Sequence, residues 1–205
     1  LIPQNIIKIS KNATILTINR IGKYIIFELD NNYSLIFHLG MSGRFQISKI
    51  NNYLPIKHDH ILIFVSNNKV LSYNDPRKFG FVDLIASKKV YQKKYILKLG
   101  LDPFDKKLTN NYLFKKIRFS SVPIKQILLD QRIIAGIGNI YASEILYDAK
   151  ISPFTPGFHL DNSRLKRLIK SIRKILNKAI EVGGTSIRDY ASIDGTLGNF
   201  QRKFK

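Results

Sequence analysis

The spacing of the apolar residues changes near residue 105, and this change limits the folds that the chain can adopt. Before that point, short β-rich runs alternate with Asn-Asn or Asp-Asn pairs, which are typical of turns between strands. The predicted strands cover residues 24–29, 34–39, 60–65, 70–73 and 79–84. Short strands with regular turn signals indicate an antiparallel β-sandwich.

Beyond residue 105 the apolar spacing becomes helical. The predicted helices cover residues 123–131, 139–150 and 163–181, and Gly183–Gly184 ends the last of them. Its apolar stripe consists of Leu165, Leu168, Ile169, Ile172, Ile175, Leu176, Ala179 and Ile180. Its basic face, which we interpret as solvated, consists of Arg167, Lys170, Arg173, Lys174 and Lys178. The sequence therefore predicts an α+β fold with a β-sandwich domain over 1–105 and a helical domain over 106–205.

The net charge of the chain indicates which kinds of molecule it binds. Its 205 residues include 34 Lys and Arg against 14 Asp and Glu, a formal net charge of +20. A field of this strength is typical of proteins that bind a polyanion, above all nucleic acid. The basic residues are spread along the chain, and no apolar run is long enough to span a bilayer, so we expect no membrane role.

Metal and disulfide chemistry are not expected within these residues. The chain contains no cysteine, which excludes disulfides and thiolate zinc sites. Its four histidines are not grouped with carboxylates at the spacing of metal ligands. We therefore expect no metal or other cofactor in this chain.

The stretch IAGIGNIYASE sets two glycines, Gly136 and Gly138, directly before a predicted helix. The first N–H groups of a helix have no intrahelical partner, and glycine allows close approach of another molecule. This arrangement indicates a phosphate site. A tight turn without a ligand is the alternative reading of the same residues.

Two loops of the β-rich half pair an apolar side chain with a cation. HLGMSGRF contains a Gly-x-x-Gly turn that presents Met41, and DPRKFGF contains a Pro-led turn with Arg77 and Phe79. Such side chains can wedge between base steps and fill the space of an everted nucleotide. The alternative is that Met41 and Phe79 belong to the core and that Asp75–Pro76 only starts a turn.

The chain as a whole resembles the formamidopyrimidine-DNA glycosylase family (Fpg, also called MutM). The resemblance rests on seven motifs that occur in the family's order and spacing over essentially the whole chain. They are RIGKYIIFEL, HLGMSGRF, KHDHILI, DPRKFGF, LGLDPF, IKQILLDQRIIAGIGNIYASEILY and GGTSIRDY. The resemblance implies that IAGIGNIYASE is the turn of a helix-two-turn-helix element whose helix N-terminus holds a DNA phosphate.

The resemblance also implies roles for single residues. Lys23 matches a lysine that contacts the phosphate beside the lesion and assists catalysis, and Glu144 matches a carboxylate near the catalytic pocket. The positions that match DNA contacts are His38, Met41, His58, Arg77, Phe79, Lys125, Gly138 and Asn139. The residues that match a mobile loop over the flipped base lie in the segment 185–199 and include Thr185, Ser186, Arg188 and Tyr190.

The chain departs from the family pattern at both ends and at one internal position. Family members begin with Pro-Glu, where the proline amine attacks the sugar and the glutamate handles protons. In this chain Pro3 aligns with a segment further into the family sequence and is not that nucleophile. The family's C-terminal four-cysteine zinc finger is also missing, and Lys78 stands where many members have arginine. We therefore expect a fragment that binds DNA without cutting it, and one zinc in the intact parent.

For the intact parent, the resemblance implies a bifunctional DNA glycosylase and abasic-site lyase of base-excision repair. It would remove oxidised purines such as 8-oxoguanine and formamidopyrimidines from double-stranded DNA, as a monomer in the cytoplasm, associated with the nucleoid. Two alternatives remain: an endonuclease VIII-type glycosylase for oxidised pyrimidines, which shares the architecture, and a noncatalytic DNA- or RNA-binding protein.

Overall fold

A computed structural model describes residues 2–184 and has the predicted α+β architecture, with strands first and helices after them. The strands are β1 (Ile15–Ile21), β2 (Tyr24–Leu29), β3 (Tyr33–His38), β4 (Arg44–Lys49), β5 (Asp59–Val65), β6 (Lys69–Asn74) and β7 (Phe81–Ala86). The α-helices are α1 (Ile6–Ser10), α2 (Lys94–Leu97), α3 (Asn110–Ile117), α4 (Ile124–Leu129), α5 (Asn139–Ala149) and α6 (Asn162–Glu181). Short 3₁₀ turns cover Ile50–Asn52, Ser87–Gln92 and Gly157–His159.

The strands form two sheets, with the order β1-β2-β3-β7 in one and β4-β6-β5 in the other. All five strands predicted from the sequence are present with small shifts at their ends. The turns between them also follow the prediction, because Asn32, Asn67 and Asn68 have positive φ, a conformation that asparagine tolerates better than most residues. β1 and β4 were not predicted. The sequence of β1, ILTINRI, does not alternate apolar and polar residues strictly, and its middle residues are exposed, so little of its apolar surface is in the core.

Aromatic side chains from both sheets form the core of the β-sandwich. Phe27 and Phe37 from the first sheet pack against Phe45 and Tyr73 from the second, with the Phe37 and Phe45 ring centroids 4.9 Å apart. Each of these four side chains is at least nine-tenths buried. Burial of side chains of this size supplies most of the free energy that holds two sheets face to face.

The contacts of the described residues divide the chain into two compact units. The first contains Tyr24–Ser87 with residues 2–19 and 179–184, and the second contains Arg20–Lys23 and Lys88–Lys178. Our domain boundary at residue 105 stays a prediction. No helix within residues 2–184 combines the length and apolar character needed to cross a bilayer.

The second unit is helical, as predicted, but two details differ. α3 was not predicted; the Thr109 hydroxyl accepts a hydrogen bond from the Tyr112 N–H and so caps its first turn. The predicted helix over 123–131 is too long, because Asp130 leaves helical geometry and α4 ends at Leu129.

The longest helix, α6, buries the predicted stripe in part. Leu165, Leu168 and Ile172 are fully buried, whereas Ile180, at the C-terminal end of the stripe, is 67% exposed. The basic face is not wholly solvated either, since Arg173 donates to the carbonyls of Asp105 and Leu108. The predicted glycine ending is confirmed: the Gly184 N–H donates to the Ala179 carbonyl at 2.8 Å.

Candidate nucleic-acid interface

Two loops lie side by side because of how the strands pair. The first loop, residues 39–43, leads from β3 to β4, and the second loop, residues 75–80, leads from β6 to β7. Both loops therefore cross from one sheet to the other, in opposite directions. Their ends coincide, because β3 pairs with β7 at His38↔Phe81 and β4 pairs with β6 at Arg44↔Asn74. The topology thus brings together two segments that lie more than thirty residues apart in sequence.

Glycine permits the close contact between these loops. Gly40 has φ +65°, and a Cβ on it would lie 2.6 Å from the Phe79 carbonyl carbon and 2.7 Å from the Gly80 nitrogen. Both the backbone angle and the space exclude a side chain there. The Gly43 N–H donates to the Leu39 carbonyl at 2.8 Å and closes the first loop.

The three predicted wedge residues, Met41, Arg77 and Phe79, are all exposed on these two loops. Met41 is 59% and Phe79 58% exposed, so the alternative that they belong to the core is wrong. The Arg77 guanidinium carbon lies 4.8 Å from the centroid of the Phe79 ring, a cation–π contact. Two adjacent loops therefore present apolar side chains and a cation to solvent.

A buried carboxylate connects the two loops, and sequence reasoning missed it. Asp75 accepts hydrogen bonds from the Ser42 hydroxyl at 2.6 Å and from the Gly80 N–H at 2.8 Å. Burial alone would raise the pKa of Asp75, but hydrogen bonds from Ser42, Gly80, Arg77 and Tyr73 outweigh it and hold that pKa below its usual value. The carboxylate is therefore ionised at neutral pH.

Two predicted DNA-contacting histidines flank the same loops. The His38 ring stacks on Phe81 with centroids 5.7 Å apart, and its Nδ1 accepts the Gly40 N–H at 3.2 Å. Because Nδ1 is the acceptor, neutral His38 carries its proton on Nε2. His58 has φ +76°, and its carbonyl accepts the Asp75 N–H at 3.1 Å, so the strained turn at His58 meets the second loop.

A second group of predicted site residues surrounds the start of α5. Gly136 has φ +98°, and its N–H donates to the Gln131 side-chain oxygen at 2.8 Å. The Gln131 amide donates in turn to the carbonyls of Leu129 and Ile137, both at 2.9 Å. One glutamine therefore fixes the turn before the helix. Sequence reasoning placed Gln131 at a helix end and gave it no role.

Gly138 occupies the N-cap of α5 and has no side chain that could cap the helix. The first N–H groups of this helix and its positive dipole end therefore suit an anion. The Lys23 ammonium lies 3.7 Å from the position that a Cβ on Gly138 would take. Asn139, the first residue of the helix, is exposed beside them.

The ammonium group of Lys23 is partly withdrawn from water although the residue as a whole is exposed, and this burial lowers its pKa. A phosphate beside the ammonium would favour the charged form and raise the pKa again. Lys23, Gly138 and Asn139 thus bring together one ammonium group, free space and helix N–H groups, an arrangement that suits an anion.

The remaining predicted residues fall in three places. Lys125 is half-buried in the first turn of α4, and its N–H donates to the Pro153 carbonyl at 3.3 Å. Glu144 is half-buried in α5. The predicted lesion-covering residues Thr185, Ser186, Arg188 and Tyr190 lie outside the described residues. Within residues 2–184 no three His, Asp or Glu side chains are grouped as metal ligands.

The comparisons with known proteins agree with these features. Residues 1–82 match the model of the formamidopyrimidine-DNA glycosylase N-terminal domain, and residues 99–191 match that of the formamidopyrimidine-DNA glycosylase H2TH domain. The chain thus combines the two domain types of a known class. It belongs to the formamidopyrimidine-DNA glycosylase family.

Similar proteins have the same family name. A formamidopyrimidine-DNA glycosylase of Zymomonas mobilis is 44% identical over 204 residues, which are 100% of this chain and 74% of the relative. One from Rickettsia conorii is 42% identical over 95% of this chain and 70% of its own length.

Solved structures extend the similarity to the fold. Lactococcus lactis Fpg in complex with abasic-site DNA has a TM-score of 0.85 at 36% identity, covering 95% of this chain and 72% of the other. Thermus thermophilus MutM has a TM-score of 0.86 at 32% identity, covering 99% and 76%.

Proposed function

We propose that this chain is the DNA-binding and base-everting part of a glycosylase that removes oxidised purines from duplex DNA in base-excision repair. The observation that carries the proposal is the pair of adjacent loops with exposed Met41, Arg77 and Phe79. Support comes from Lactococcus lactis Fpg, whose solved complexes contain abasic-site DNA and Fapy-dG DNA. The preference for 8-oxoguanine and formamidopyrimidines follows from the family resemblance.

Each group of residues has a separate task in this proposal. The net charge of +20 attracts the duplex, and Lys23 with the start of α5 holds a phosphate. Eversion of a nucleotide then costs a few kcal/mol of unstacking, which the wedge residues offset by filling the vacated space. Lys125 and His38 add contacts to the DNA backbone, His58 adds a further DNA contact, and Glu144 lies near the catalytic pocket.

The lyase chemistry belongs, in this proposal, to residues of the intact protein that precede Leu1. It needs an unprotonated amine at C1′ of the sugar, and in the family that amine is a terminal proline. A DNA phosphate beside Lys23 favours its charged form, which is not nucleophilic. The family zinc likewise belongs to a segment outside these 205 residues, since they contain no cysteine. The intact protein acts as a monomer in the cytoplasm.

Borohydride trapping tests where this chemistry resides. The amine displaces the damaged base from C1′, and the C1′–O4′ bond then opens to give an iminium ion, which borohydride reduces to a stable protein–DNA bond. With duplex containing 8-oxoguanine, the intact protein is expected to give a covalent band. The polypeptide Leu1–Lys205 is expected to bind abasic-site duplex without giving one.

Two controls make the trapping experiment decisive. Duplex containing an oxidised pyrimidine in place of 8-oxoguanine measures the lesion preference, and faster trapping on it would favour the endonuclease VIII-type activity. A covalent band from Leu1–Lys205 that Lys23→Ala abolishes would show that Lys23 is the nucleophile. No band from the intact protein on any lesion would contradict the amine-based lyase mechanism, and no release of the damaged base from any duplex would contradict the glycosylase proposal.

A further inference from the structure

The carboxylate of Asp75 is the most buried charge near the two loops. Asp75 is 1% exposed and Ser42, its hydroxyl partner, is 3% exposed. Within the described residues the donors to this carboxylate are uncharged: the hydroxyls of Ser42 and Tyr73 and the backbone N–H groups of Gly80 and Arg77. A buried carboxylate is tolerated only where hydrogen bonds replace its hydration, so these donors are held firmly in place.

A connected set of hydrogen bonds joins the two loops. The Arg77 N–H donates to the Ser42 oxygen at 3.2 Å, and the Ser42 hydroxyl donates to one oxygen of Asp75 at 2.6 Å. The other oxygen of Asp75 accepts the Gly80 N–H at 2.8 Å. These hydrogen bonds hold the backbone on both sides of Phe79 in place. Ser42, which follows Met41 in the sequence, accepts one of them and donates another.

We infer that Ser42 and Asp75 are positioning residues that hold the first and second loops as one unit, so that Met41, Arg77 and Phe79 enter the duplex together. This inference rests on the proposed function. Neither residue touches DNA in it, because both are buried under the loops that they join. The hydrogen bond between Ser42 and Asp75 joins residues that lie 33 positions apart in the sequence. The two loops therefore cannot shift independently without leaving a buried polar group unpaired.

Amide hydrogen exchange and excision kinetics of the intact protein test the inference. Ser42→Ala removes the hydroxyl that accepts the Arg77 N–H at 3.2 Å and is expected to speed exchange at that amide. Asp75→Asn keeps the shape but removes the negative charge, which weakens the hydrogen bond from the Gly80 N–H even where the amide oxygen faces it, so exchange at Gly80 is expected to speed up. Ser42→Ala is expected to slow excision of a base-paired lesion roughly tenfold, as for a lost hydrogen bond to a charged group.

The matched control is Ser72→Ala, because Ser72 is equally buried on β6 and its hydroxyl makes only a 3.5 Å contact with the Gln46 carbonyl. Ser42→Ala should leave cleavage of a pre-formed abasic site nearly unchanged, and combining it with Phe79→Ala should add little to the loss from Phe79→Ala alone. Unchanged exchange at Arg77 and Gly80, equal losses on both substrates, or additive losses would each overturn the inference.

Two further experimental outcomes distinguish a failure of this inference from a failure of the proposed function. If the wild-type protein excises no lesion, the proposed function fails, whereas the exchange rates still decide whether Ser42 and Asp75 fix the loops. If Ser42→Ala does not fold, Asp75→Asn gives the same comparison through Gly80, and unchanged exchange there would overturn the inference.

Discussion

Phe79→Ala in the intact protein is expected to slow excision of a base-paired 8-oxoguanine by roughly 100-fold and to leave cleavage at a pre-formed abasic site nearly unchanged. The factor corresponds to the few kcal/mol of unstacking that the ring offsets when a paired nucleotide leaves the helix. An abasic site has no base to unstack, so the ring contributes less there. Single-turnover rates on the two duplexes measure the difference.

Phe64→Ala is the matched control for this change. Phe64 lies on β5 and is 64% exposed, so it resembles Phe79 in residue type and exposure without lying on either loop. We expect both rates of Phe64→Ala to stay close to wild type. If Phe79→Ala slows both reactions equally, Phe79 supports the fold or the binding of any DNA and does not act in eversion.

Gly138→Asp is expected to weaken DNA binding by roughly 100-fold, which corresponds to losing charge-assisted hydrogen bonds at one phosphate. Gly138 has φ −111° and ψ 175°, which any residue adopts, and only the flexible Lys23 ammonium lies near its Cβ position. Aspartate is a favoured N-cap residue, so the free energy of unfolding should stay within about 1 kcal/mol of wild type. The carboxylate instead occupies the anion site and pairs with Lys23.

Gly138→Ser separates charge from size at this position. Serine also caps helices but carries no charge, so it should bind DNA much better than Gly138→Asp. Fluorescence anisotropy with a duplex probe and urea unfolding of the same samples measure both quantities. Binding by Gly138→Asp that equals binding by Gly138→Ser would show that no phosphate lies at the start of α5.

The sequence predicted those features that depend on local patterns. Alternating strands, Asn turns and the helical stripe follow from residue spacing, and the exposed loops at Met41 and Phe79 follow from Gly and Pro punctuation. Partners distant in the chain left no such signal. Ser42 meets Asp75 across 33 positions, and only the pairing of the two sheets brings them together.

The same limit applies to the helical unit. The glycines before α5 indicate a turn and an anion site, but the geometry of that turn depends on the Gln131 side chain, which binds three backbone groups between Leu129 and Ile137. In the sequence, Gln131 continues the apolar helical spacing and is therefore predicted to belong to the helix. The end of α4 was therefore predicted two residues too late.

The salt dependence of binding to abasic-site duplex tests the central claim, that this chain binds DNA through phosphates at defined cations. Neutralised phosphates release counterions, so log K should fall steeply and linearly with log salt. Lys23→Ala and Lys125→Ala should each reduce the slope by about one. Lys69 is the first residue of β6 and lies at the strand end away from the second loop. Lys69→Ala should therefore leave the slope unchanged. A flat salt response, or equal effects of all three substitutions, would contradict the account.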